Sequence, residues 1–164
     1  MKKLLFIACL FLATTSFAQF SKAAPDVKRT LVGKNSPMGN LINELEYTVM
    51  DKDTIYSFSY RDMTYETLDE FEVVSFSGTS ETLRDLYMAL SVALNAEKGS
   101  KNNFNLGTHS VRVSTSGSIG DKIIYIFINK TGGGSAFTTL TKRTLNKLFA
   151  IDEPTEKEES TTTN

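Results

Sequence analysis

The chain carries several stretches of period-two alternation and one long stretch of helical period. Within Leu41 to Met50, Leu45, Tyr47 and Val49 fall on one side and Glu44, Glu46 and Thr48 on the other, the mark of a half-buried strand. Asp51-Lys52-Asp53 is a turn, and Thr54 to Arg61 alternates again with Tyr56, Phe58 and Tyr60 on one face. Two alternating runs joined so closely predict a hairpin. Phe71 to Ser77, rich in valine and phenylalanine, predicts a third strand. The period then changes. Leu83, Leu86, Tyr87, Leu90, Ala93 and Leu94 recur at three- and four-residue spacing, so one face of a helix is apolar. Thr79 or Ser80 caps it, Glu81 favours its dipole, and Gly99 is the expected left-handed stop.

The second half opens with Lys101 to Asn103, which reads as a polar loop, followed by strand-like Thr108 to Ser114 and a turn at Ser116 to Gly120. Lys122 to Asn129 (KIIYIFIN) is apolar at both parities and predicts a strand in the centre of a sheet. After Gly132-Gly133-Gly134, Ala136 to Leu140 returns as a partner strand. Thr141 then caps a short helix carrying Leu145, Leu148 and Phe149. One longer helix from Ser135 is the alternative, and the β-branched pair Thr138 and Thr139 favours the strand.

The order is three strands and a helix, twice. Thr79, Thr82, Leu83, Leu86 and Tyr87 match Thr141, Thr144, Leu145, Leu148 and Phe149 at a constant offset of 62 (141 against 79). Any capped amphipathic helix shares that match and the strands do not align, so duplication is one reading of two. The expected fold is α+β: an antiparallel sheet of about six strands with two helices packed on one face, compatible with a β-β-β-α duplication.

The ends differ from the middle. Lys2 and Lys3 precede the apolar run Leu4 to Ala13, and Ser16-Phe17-Ala18 supplies a small-x-small cleavage site. That is a secretory signal peptide over residues 1–18, with Gln19 as the new start. Its apolar run is half the ~20 residues a membrane span needs. A lipobox reading at Cys9 would leave only Leu4 to Ala8 as the apolar region, too short for export. Residues 19–39, with Pro25, Pro37 and Gly33, read as an N-terminal arm that docks on the body; 40–151 reads as a single α+β domain. Residues 152–164, PTEKEESTTTN with its leading Asp and Glu, read as a disordered acidic tail.

Composition then removes whole classes of chemistry. Cys9 is the only cysteine and leaves with the signal, so disulfides, thiolate nucleophiles and cysteine-held metals are excluded from the exported chain. Removing Lys2 and Lys3 from 18 basic residues leaves 16 against 19 acidic ones, a net charge of −3. Without a clustered basic face there is no electrostatic case for nucleic acid.

His109, the only histidine, shares a strand face with Val111 and Val113, which reads as a locally satisfied histidine; no nucleophile or metal partner for it can be named. Glu44 and Glu46 could serve as paired carboxylates on a glycan, but read more simply as the solvated face of an edge strand. Lys130 to Ser135 lacks the ending of a phosphate-binding loop and reads as a hairpin turn. Asp53-Thr54-Ile55 and Asn129-Lys130-Thr131 match three-residue glycosylation acceptors. The aromatic row Tyr56, Phe58 and Tyr60 is either core or an open contact surface; the second reading makes these three the candidate binding residues. No cofactor or metal is expected. The functional expectation is a small exported, non-catalytic binding or interaction protein of a bacterial cell envelope, periplasmic or extracellular, with a protein, peptide or glycan partner. A carboxylate-based hydrolase acting on an envelope polymer is the alternative, and a subunit completed by a partner's strand is a third reading.

Overall fold

The computed structural model describes residues 27–65, 69–117, 122–130 and 133–151. The signal peptide expected over residues 1–18 and the acidic tail expected over 152–164 lie outside them. Among the described residues eight strands and two α-helices follow in the order β1 (Arg29–Asn35), β2 (Asn43–Met50), β3 (Asp53–Arg61), β4 (Phe71–Ser77), α1 (Ser80–Asn95), β5 (Lys101–Leu106), β6 (His109–Gly117), β7 (Lys122–Asn129), β8 (Ser135–Thr141) and α2 (Lys142–Leu148). The strands form two antiparallel meanders, β1-β2-β3-β4 (sheet A) and β5-β6-β7-β8 (sheet B). The fold is α+β as expected, but the single sheet of about six strands is corrected to two sheets of four.

The two additional strands are edge strands whose sequences hide them. In β1, within the stretch read as an arm, the pairing register shifts between Leu31 and Gly33. An extra residue at a bulge breaks the alternation that would announce a strand. In β5, the start of which was read as a loop, only Phe104 and Leu106 turn toward the core and the rest is polar, as suits an exposed edge. Residues Ser135–Thr141 form a strand and Thr141 caps α2, so the strand-plus-helix reading holds over the single helix.

The halves pair alike. Leu45 lies opposite Phe58 and Phe58 opposite Val74; Val113 lies opposite Ile126 and Ile126 opposite Thr138. Each helix starts with the same reciprocal threonine cap. Thr82 N donates to Thr79 Oγ1 while Thr79 N donates to Thr82 Oγ1, and Thr144 and Thr141 repeat the arrangement. The end of α1 differs from expectation. It stops at Asn95 with Ala96 extended, and Gly99 (φ 85°) serves the turn into β5.

The helices cross over. α1 follows sheet A but packs on β6 and β7 of sheet B; α2 follows sheet B and packs on β1 and β2 as well as β8. The apolar faces of both sheets and both helices therefore close on one shared core. Seven residues of helix are unstable alone, and α2 owes its existence to burying Leu145 and Leu148 at 1% exposure, each contributing about 2 kcal/mol. Polar links also tie the halves. Asn43 Nδ2 donates to Thr138 Oγ1 at 2.9 Å, both residues wholly buried, and Tyr87 donates through its hydroxyl to Asn146 Oδ1 at 3.0 Å. Among the described residues no helix is long and apolar enough to cross a membrane.

Candidate functional site

Tyr56, Phe58 and Tyr60 point inward, at 5%, 6% and 1% exposure. The contact-surface reading of this row is corrected: the rings stack within the core, Tyr56 on Phe76 and Phe58 on Tyr60. Glu44 and Glu46 lie on the outer face of sheet A, opposite Ser59 and Ser57. Partial burial first, and neighbouring Glu46 second, push the Glu44 carboxyl above its ordinary range.

His109 opens β6 on the same side as Val111 and Val113, and lines a cleft of about 390 Å³ with Tyr60, Glu72, Asn129 and Lys130. Its Nδ1 is buried with no hydrogen-bond partner among the described residues. Behind the cleft Asp62 is buried. Its Oδ1 accepts from Thr64 N (2.9 Å), Thr64 Oγ1 (2.6 Å) and Phe137 N (3.2 Å). Lys130 Nζ bridges Asp62 Oδ2 at 3.2 Å and Glu72 Oε1 at 2.6 Å.

Asp62, Lys130 and Tyr60 are each held in one protonation state. Burial raises the Asp62 carboxyl, but the donors from Thr64, Phe137 and Lys130 outweigh it and hold it below the usual range. Glu72 first, and Asp62 after it, hold the Lys130 ammonium above the usual range against partial desolvation. Burial first, then the charges of Glu72 and Asp62, push the Tyr60 hydroxyl far up. A general acid or base works with a pKa near the operating pH, and these three groups are shifted the opposite way. Their chemistry is that of a structural ion cluster. Among the described residues no three histidine, aspartate or glutamate side chains gather as a metal site.

A pH dependence follows from these directions. Asp62 stabilises the fold above its unfolded pKa of ~3.9 and loses that contribution as pH falls through its lower folded value. Lys130 stabilises below its unfolded ~10.4, and that contribution disappears as pH rises through its higher folded value. Thermal unfolding of the wild type should be compared with Asp62→Asn across acid pH. The wild-type advantage at pH 7 is expected to shrink below about pH 4; an advantage constant down to pH 2 rejects the assignment.

The open aromatic surface lies on the other sheet. In β7 the isoleucines 124, 126 and 128 are buried, which turns Tyr125 and Phe127 to the outer face beside Phe137 of β8. The rings form a connected half-exposed group: centroids lie 6.4 Å apart for Tyr125–Phe127, 6.1 Å for Tyr125–Phe137 and 5.6 Å for Phe127–Phe137. The Arg112 guanidinium sits 5.2 Å from the Phe127 centroid, a cation–π geometry. One rim is held by the Asp62 cluster. Met63 N donates to Phe137 O at 2.8 Å, and Thr139 Oγ1, opposite Tyr125, reaches Met63 Sδ at 3.5 Å. The available signal was the parity of KIIYIFIN, with isoleucine on one parity and aromatics on the other. Reading the run only as apolar at both parities concealed it.

This platform offers ring faces, one guanidinium and flanking hydroxyls. The chain matches no family model, and no curated protein and no solved structure is significantly similar to it.

Proposed function

We propose that the chain is an exported, non-catalytic binding module of a bacterial envelope, periplasmic or extracellular, that engages its partner through the outer face of sheet B. The observation that carries the reading is the group Tyr125, Phe127 and Phe137 standing half-exposed on an open sheet. Aromatic side chains with a polar handle give large contact area at low entropic cost, and a nearby Arg adds directional bonding. The partner class is a peptide or glycan that presents flat apolar faces. Export rests on the leader Met1 to Ala18. The repeated strand pairing and matching threonine caps support an internal duplication of one unit of four strands and a helix. The hydrolase alternative has its nearest candidates in Asp62 and Glu72, and both are ion-paired to Lys130.

The test uses the chain from Gln19 on peptide and envelope-glycan arrays. Tyr125→Ala/Phe127→Ala is expected to lose at least about tenfold in affinity, from two aromatic contacts of roughly 1 kcal/mol each. Glu44→Gln/Glu46→Gln, on the outer face of sheet A, is expected to bind as the wild type does. Cooperative unfolding of both variants is the folding control. Equal binding by the wild type and the aromatic double variant ends the proposal.

A further inference from the structure

Charge is segregated along the last third of the chain. Residues 122–151 contain Lys122, Lys130, Lys142, Arg143 and Lys147 and no carboxylate, whereas 152–159 contain Asp152, Glu153, Glu156, Glu158 and Glu159 against Lys157. The fold gathers four of those cations around α2. One cleft of about 680 Å³ is lined by Ser91, Asn95, Lys122, Lys142 and Arg143 among others. A second of about 450 Å³ lies across Arg143 and Thr144 and is lined by Met63, Thr139 and Lys147. Lys130 is consumed by Asp62 and Glu72, and Lys122 donates to Asn95 O and Ala96 O. Among the described residues no carboxylate pairs with Lys142, Arg143 or Lys147. Among the described residues this cationic groove holds no anion.

We infer that the acidic segment 152–164 of the same chain occupies this groove. Its first residue follows Ile151, three positions beyond the end of α2. Seven helical residues are about 10 Å long, while the eight residues Asp152 to Glu159 reach up to about 27 Å, so the acids can pass back along α2 to Arg143 and Lys142. Exposed ion pairs are individually weak. The tether supplies what they lack, because a short linker holds its ligand at an effective concentration in the millimolar range. The second cleft shares Met63 and Thr139 with the rim of the aromatic platform. The groove therefore adjoins one rim of the binding face. The inference stands on charge and geometry independently of the platform's function, and either can fail alone.

The exported chain has no cysteine, so Thr162→Cys in residues 19–164 gives one site for a spin label. At low salt the label is expected to broaden the amides of Asn95, Lys122 and Arg143, which lie away from Ile151 along the chain. The effect should fall by half or more in 0.5 M NaCl, where the screening length drops to about 4 Å. Lys142→Glu/Arg143→Glu should abolish it. Acids in the first turn of a helix favour its dipole, so this variant keeps α2 folded, which unfolding midpoints will verify. Broadening confined to residues adjoining Ile151, or unchanged by salt and by charge reversal, overturns the inference. So does broadening carried from labelled chains to unlabelled ones in a mixture, since a second copy would then supply the acid.

Discussion

Asp62→Ala is expected to lower the free energy of unfolding by about 3 kcal/mol, seen as a lower denaturant midpoint at unchanged slope. The side chain is 1% exposed and makes three hydrogen bonds through Oδ1 and an ion pair through Oδ2. Removing it strands the backbone donors of Thr64 and Phe137. Lys130 retains Glu72 and is 29% exposed, so water rescues part of its loss; this keeps the expected cost at the lower end for a broken buried pair. The effect should also be local. Asp62 anchors Met63, whose amide bonds to Phe137 O and so closes the edge of sheet B. Hydrogen exchange at Met63 and Phe137 should accelerate beyond the global change. A loss below 0.5 kcal/mol, within the range of ordinary surface substitutions, would show that the cluster is dispensable.

Gly33→Ala is expected to cost about as much, roughly 3 kcal/mol, for a steric reason. Gly33 sits at the bulge of β1, and a Cβ there would collide with Lys147 O and come within 2.6 Å of Leu148 O. These are carbonyls at the end of α2, so no flexible side chain can yield. The helix must move off sheet A, loosening Leu145 and Leu148. Gly117→Ala is the control, since no other group lies within 4 Å of its added carbon. It should be neutral or slightly stabilising through a stiffer unfolded chain. If both alanines behave alike, the close approach of α2 to β1 is wrong.

The two variants probe features of opposite legibility. The helices, the strands β2, β3, β4 and β7, and the threonine caps could all be read from the chain. Each is set by periodicity or capping within a dozen residues. The strands β1 and β5 could not be read so easily. An edge strand needs only one or two inward apolar residues, and in β1 the bulge at Gly33 breaks even that pattern. The role of Gly33 was invisible because the atoms it makes room for lie more than a hundred residues away. Asp62 looked like one acid among many, for its partner Phe137 is 75 residues away in the chain and Lys130 is nearly as remote.

The candidate site divides along the same line. Alternation established that Tyr56, Phe58 and Tyr60 share one face and that the aromatics and isoleucines of β7 take opposite parities. Whether a face is core or surface depends on where the helices come to rest. Each helix here leaves its own sheet to pack with the other half, which buries the first row and leaves Tyr125, Phe127 and Phe137 outside. The sequence by itself determined the periods, the caps, the single cysteine at position 9 and the segregation of charge near α2, because these are properties of neighbouring residues. The tertiary structure alone decided the division into two sheets, the exchange of helices, the Asp62–Lys130–Glu72 cluster and the face that remains open. Those depend on which distant surfaces bury one another, and the hydrophobic effect that drives the choice is non-directional.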